Sequence, residues 1–171
     1  MQTRPRFLRG FLFGGWMREN FEAAANNLKE FEGGFSNDKD DPGGATRYGI
    51  AQKYHPGVDV RSLTWEGAKA IYFRDYWIKG GCDELPFPLD VLHFDAMVNP
   101  GPGAAIRFLH DSGEHVDPLC RCVEYQVLRL RYYLEVIRKR PVSLKYLAGW
   151  TDRTLDLLER TVLTMWSLDG K

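Results

Sequence analysis

Apolar residues recur every three or four positions through most of this chain, and that spacing predicts helices. Between Met17 and Glu32 the stripe is Phe21, Ala24, Ala25, Leu28 and Phe31, an amphipathic helix followed at once by Gly33-Gly34. Ser62 and Thr64 suit the cap of a helix over Trp65–Trp77, with Trp65, Ala68, Ile71, Tyr72 and Tyr76 at helical spacing. Gly80-Gly81 ends it, and Pro86-Phe87-Pro88 forces an extended connection. A helix over Leu89–Asn99 and one over Ala104–Asp111 come next. The longest helix starts near Pro118 and carries Leu119, Val123, Val127, Leu130, Leu134 and Ile137 at heptad-like spacing. Arg138-Lys139-Arg140 suit its C-terminal dipole, and Pro141 stops it. Thr151 or Asp152 caps a last helix bearing Leu155, Leu158, Val162 and Met165. Only Phe35–Ile50, with its Asp41-Pro42-Gly43-Gly44 turn signal, reads as a small hairpin. The pattern therefore predicts a mainly α fold with one small β-hairpin.

One residue breaks the pattern in a way that matters chemically. At about 100° per residue, Glu32 falls roughly 20° from Phe21 and 40° from Leu28 around the helix axis, towards the apolar side. Desolvation and the negative end of the helix dipole both favour its protonated form. A carboxyl kept protonated near neutral pH can act as a general acid. A hairpin folded back over the helix end brings Asp41 and Thr46 across a groove from it. One protonated and one ionised carboxyl is the pair that glycoside hydrolysis commonly needs, and their separation sets retention or inversion. Asp38 and Asp40 compete with Asp41 for the second role, and all three Asp residues also suit turn capping. Asp38-x-Asp40-x-x-Gly43 begins like a calcium loop, but Pro42 and Gly49 stand where ligands are needed.

The stretch from Glu32-Gly33-Gly34 to Tyr48-Gly49-Ile50 resembles the signature of glycoside hydrolase family 108, lysozyme-like N-acetylmuramidases found as phage endolysins and in bacterial secretion or release systems. Leu63-Thr64 with Ala68, Ile71, Tyr72, Tyr76 and Trp77, then Phe94-Asp95-Ala96-Met97-Val98-Asn99 and Gly101, resemble its later segments. Tyr132-Tyr133 and Gly149-Trp150-x-x-Arg153 resemble its C-terminal, presumed peptidoglycan-binding region. The resemblance implies an α+β lysozyme-like fold with the hairpin beside the active-site cleft. It divides the chain into a 1–16 extension, a 17–100 catalytic lobe and a 101–171 helical lobe packed on the first. It makes Glu32 the catalytic acid. T-even and lambdoid phage lysozymes follow Glu-x8-Asp-x5-Thr, whereas this chain has Glu32-x8-Asp41-x4-Thr46, one residue shorter. Asp41 and Thr46 are the remaining catalytic candidates. Tyr48, Tyr76 and Trp77, together with Tyr72, offer faces for sugar stacking, although each also suits the core. Asn99 suits a substrate acetamido group or a helix C-cap, and Asp40 completes the substrate-binding set.

The implied activity is cleavage of the β-1,4 bond between N-acetylmuramic acid and N-acetylglucosamine in bacterial peptidoglycan, with no metal or cofactor. A lytic transglycosylase and an inactive cell-wall-binding or virion structural protein are the competing readings. Delivery to the wall implies a holin, a virion or a secretion apparatus as partner, and nothing points to nucleic acid. The apolar run Phe11–Met17 behind Arg4, Arg6 and Arg9 is too short for a signal peptide or a stable membrane span. Synthesis in a host cytoplasm and action in the periplasm or from a virion are expected.

With 171 residues and 44% apolar content, the chain can bury a sizeable core. Its zero formal charge is segregated. Residues 1–20 carry +3, residues 21–118 have nine Lys/Arg against sixteen Asp/Glu, and residues 119–171 have ten against six. A basic C-terminal third suits an anionic wall, or an ordinary solvated helix pair. Cys82, Cys120 and Cys122 read as reduced thiols, and with His115 they match no zinc spacing.

Overall fold

The computed structural model describes residues 13–31, 35, 44–115 and 117–168. Helix α1 (Phe13–Phe31) is followed by strands β1 (Thr46–Arg47) and β2 (Ile50–Ala51), then α2 (Trp65–Tyr72). A π-helical turn (Phe73–Ile78) and a 3-10 turn (Cys82–Glu84) lead to α3 (Leu89–Val98). Helices α4 (Pro102–Asp111) and α5 (Pro118–Lys139) follow, then a 3-10 turn (Pro141–Tyr146) and α6 (Leu147–Leu168). The mainly α architecture with one small antiparallel hairpin agrees with the helical periodicity. Helix α1 crosses the expected boundary between residues 16 and 17 unbroken.

Most of α3 is buried all round, from Leu89 to Met97, so it lacks an amphipathic face. Phe21 of α1 meets Phe73, Trp77 and Phe94 edge-on at 4.9–5.7 Å, and Phe108 of α4 meets Tyr125 and Tyr132 of α5 at 5.8 and 5.6 Å. One continuous core therefore runs from Phe21 to Leu157 and joins the two expected lobes through α3.

Three polar residues of this central helix are buried, and together they tie it to α1, α5 and α6, as burial of polar groups demands. Asp90 accepts from Asn20 Nδ2 of α1 at 2.8 Å. His93 lies 2.8 Å from the Tyr125 hydroxyl of α5 and 3.2 Å from the Gly80 carbonyl. A carbonyl only accepts, so Nε2 carries the ring proton and Nδ1 accepts from Tyr125. Asp95 binds two arginines: Arg129 Nη2 of α5 at 2.6 Å, and Arg153 of α6 through Nη2 at 2.8 Å and Nε at 3.0 Å.

This last cluster turns α5 and α6 in an unexpected direction. The buried face of α5 is Cys122, Tyr125, Gln126, Arg129 and Tyr133, not the heptad-like apolar stripe. Val123, Val127 and Leu134 of that stripe are 44%, 39% and 45% exposed. On α6 the buried residues are Arg153, Thr154, Leu157 and Thr161, while Leu155 is half exposed. The last helix also begins at Leu147, ahead of the Thr151/Asp152 cap expected, because the Pro141–Tyr146 turn feeds straight into it.

Burial pushes the Asp90 carboxyl up to about 6, against weaker stabilisation of its anion by Asn20 and the Val91 amide. A raised carboxyl pKa means that the unfolded chain ionises first. The folded state is therefore penalised as pH rises from about 4 to 6, by on the order of 3 kcal/mol. Asp90→Asn is expected to be more stable than the parent at pH 7 by up to that amount. The advantage should disappear near pH 4, as urea denaturation at the two pH values will show. His93 acts in the opposite sense: burial pulls it down to about 4, so its stabilisation, present above about 6.5, is lost as pH falls towards 4. In the parent the two effects offset, and Asp90→Asn should unmask the acid-side loss due to His93.

Candidate active site

The last described turn of α1, the hairpin and the start of α2 converge on Trp65. Lys29 of α1 places Nζ 5.3 Å from the centroid of the Trp65 ring, and Tyr48 meets the same indole edge-on at 5.6 Å. Trp65 opens α2 because Thr64 caps it, its hydroxyl accepting from the Gly67 amide at 3.2 Å. The hairpin turns at Tyr48-Gly49, and Thr46 and Arg47 pair with Ala51 and Ile50. Both turn residues have positive φ, 49° and 71°, as a two-residue type I′ connection requires.

A tyrosine in the left-handed region is uncommon, and its side chain and carbonyl are both engaged. The Tyr72 hydroxyl donates to the Tyr48 carbonyl at 2.6 Å, and Arg47 lies over the Tyr48 ring while donating to the Arg61 carbonyl. The hairpin is thereby pinned to α2 and to the 52–63 connection. Gln52 braces that connection by donating to Val58 O at 2.7 Å and accepting from Val60 N at 3.3 Å.

The predicted site residues fall in different places. Glu32, Asp40 and Asp41 lie outside the described residues, as do Asp38 and the Asp41-Pro42-Gly43 part of the predicted turn. Thr46 is partly exposed on β1, with its hydroxyl donating to Gly44 O at 3.2 Å. Tyr48 and Tyr76 are partly buried on either side of Tyr72, whose ring lies 5.5 Å from that of Tyr76. Trp77 is a correction: it is 1% exposed and wedged between Phe21 and Phe94, so no face is open to a sugar. The same holds for Tyr72, which is fully buried. Asn99 caps the C-terminus of α3, its amide donating to Asp95 O at 2.9 Å. Its Oδ1 accepts from the Tyr133 hydroxyl at 2.7 Å, and Tyr133 stacks on Trp150 at 4.7 Å.

Other features escaped the sequence reading. His55 stands 6.5 Å from the Tyr76 ring, its pKa lowered first by burial and partly restored by Asp75. Asp75 is held well below the usual carboxylate range, chiefly by its bond to Arg74 and further by Lys79. Asp75 and Tyr76 belong to the π-helical turn and face His55 of the 52–63 connection; a helical-wheel reading at 3.6 residues per turn has no signal for it.

The comparisons with known proteins bear on this arrangement directly. Residues 25–101 match the family model glycosyl hydrolase 108. The resemblance carried by Glu32–Ile50 is borne out, and the matched segment spans every candidate catalytic and substrate-binding residue from Glu32 to Asn99. The glycosyl hydrolase 108 match supports a glycoside hydrolase, with peptidoglycan as the fitting substrate class. The structure of Brucella abortus SagA superposes with a TM-score of 0.72 at 24% identity, over 85% of this chain and 95% of SagA. That likeness concerns the fold, and it reaches well beyond residue 101. No curated protein matches the chain.

Proposed function

We propose that the protein is an endo-acting N-acetylmuramidase that hydrolyses the β-1,4 bond between N-acetylmuramic acid and N-acetylglucosamine. The observation that carries this reading is the glycosyl hydrolase 108 match across residues 25–101, which contains the whole Glu32–Ile50 stretch. Glu32 protonates the glycosidic oxygen as the C1–O bond breaks. Asp41 then stabilises the oxocarbenium-like centre or activates water, and Thr46 positions that water or Asp41. The pinned hairpin supports a rigid wall for this chemistry, since a site must hold its groups to a fraction of an ångström. Tyr48 and Tyr76 offer partly exposed ring edges for sugars, and Asn99 an amide for the acetamido group. The 101–171 lobe, with its basic excess, holds the enzyme on the wall. Delivery by a holin, a virion or a secretion apparatus makes it an endolysin-type lysis enzyme, acting in the periplasm or from a particle.

Mass spectrometry of digested sacculi tests the reaction. Hydrolysis leaves reducing N-acetylmuramic acid ends that take up the mass of water. A 1,6-anhydro end would instead show a lytic transglycosylase, and no soluble product would show a wall-binding protein.

A further inference from the structure

Helix α5 faces the wrong way for a helix whose apolar stripe serves its own core. It buries Gln126, Arg129 and Tyr133 and leaves Val123, Val127 and Leu134 at the surface. The stripe has coiled-coil spacing: exposed Cys120, Val127 and Leu134 recur seven apart, interleaved by exposed Val123 and by partly buried Leu130 and Ile137. Leu119, Cys120, Val123 and Val127 line a groove of about 450 Å3 along it. On one flank α6 runs antiparallel to α5, with Gln126 reaching Thr154 and Tyr133 stacking on Trp150, and it adds half-exposed Leu155. The other flank carries Asp117, Glu124, Arg131 and Arg138, also seven apart.

We infer that this seam is the interface of a two-fold homodimer in which α5 packs antiparallel against α5 of a second copy. The charges single out that occupant and that direction. About a two-fold axis between residues 128 and 129, Val127 layers on the second copy's Leu130, Val123 on its Leu134, and Cys120 on its Ile137. The same register sets Glu124 opposite the second copy's Arg131 and Asp117 opposite its Arg138, each pair occurring twice by symmetry. Glu124 already holds His115 through Oε2, which leaves Oε1 for the arginine. Arg131 and Arg138 have no ion-pair partner among the described residues. A parallel dimer would set these charges against Leu119, Gln126 and Tyr133, of which the last two are buried in the chain's own fold. A glycan or a lipid surface would not call for two acids followed by two bases along one flank, the self-complementary order an antiparallel pair needs.

Sedimentation equilibrium of the full chain at micromolar concentration should give twice the chain mass. Val127→Glu should be monomeric with an unchanged circular dichroism spectrum. Glu124→Arg should weaken the dimer at least about tenfold, because by symmetry two charge pairs are lost and each becomes a repulsion, and Glu124→Arg/Arg131→Glu should restore it. The double variant changes only surface charges, so it decides the matter even if Val127→Glu folds poorly. A parent that stays monomeric up to about 100 μM, well above the Kd of a specific interface, overturns the inference. So does a dimer indifferent to the charge swap, or a monomer whose seam variants lose binding to sacculi or vesicles.

Discussion

Asp95→Ala is expected to be the most destabilising single substitution among the buried polar groups of α3. Asp95 is 6% exposed, Arg129 is fully buried, and Arg153 is 6% exposed. Asp95 is the carboxylate that both arginines share in the core, and against the opposing effect of burial Arg129 and Arg153 hold it below its ordinary pKa. Removing it takes the shared counter-charge from two buried arginines, and breaking a buried pair in this way costs about 3–5 kcal/mol. For a chain of this size that corresponds to a fall in Tm of roughly 10 °C, readable by calorimetry. Arg129 Nη1 already has no hydrogen-bond partner among the described residues. Replacing all three residues by apolar ones of similar volume should cost far less, because then no charge is stranded. A single variant as stable as the parent would show that the cluster does not hold the two halves of the core together.

Glu32→Gln is expected to have the largest effect on activity. General acid catalysis contributes about 10²- to 10⁴-fold, and the amide cannot supply the proton that the departing sugar oxygen needs. Turbidity loss of purified peptidoglycan should therefore fall by that factor, with thermal unfolding unchanged. Asp38→Asn, Asp40→Asn and Asp41→Asn compared side by side should show the deepest loss at Asp41. A Glu32→Gln protein that clears walls as fast as the parent would overturn the proposed function while leaving the dimer inference untouched. Conversely, a monomeric but Glu32-dependent muramidase would remove only the dimer.

Element positions were legible locally because their signals are local. Thr64 caps α2, Pro118 opens α5, and Arg140-Pro141 ends it. The Glu32–Ile50 stretch was specific enough to carry a family resemblance that the matched segment bears out. The turn of the described hairpin was missed, since Tyr48-Gly49 is not a sequence that advertises two left-handed residues, whereas Asp-Pro-Gly-Gly is a turn signal. Trp77 looked like a sugar platform, and a side chain's burial depends on Phe21 and Phe94 arriving from elsewhere.

Taken alone, the order of residues determined that the chain is mainly helical, where most helices begin and end, and which family the Glu32–Ile50 stretch resembles. Only the tertiary structure decided which face of α5 and α6 turns inward. A heptad stripe says that some surface will be buried, not by what. Asp95, lying 34 residues from Arg129 and 58 from Arg153, claims the polar faces for the core, because stranded charge costs more than exposed valine.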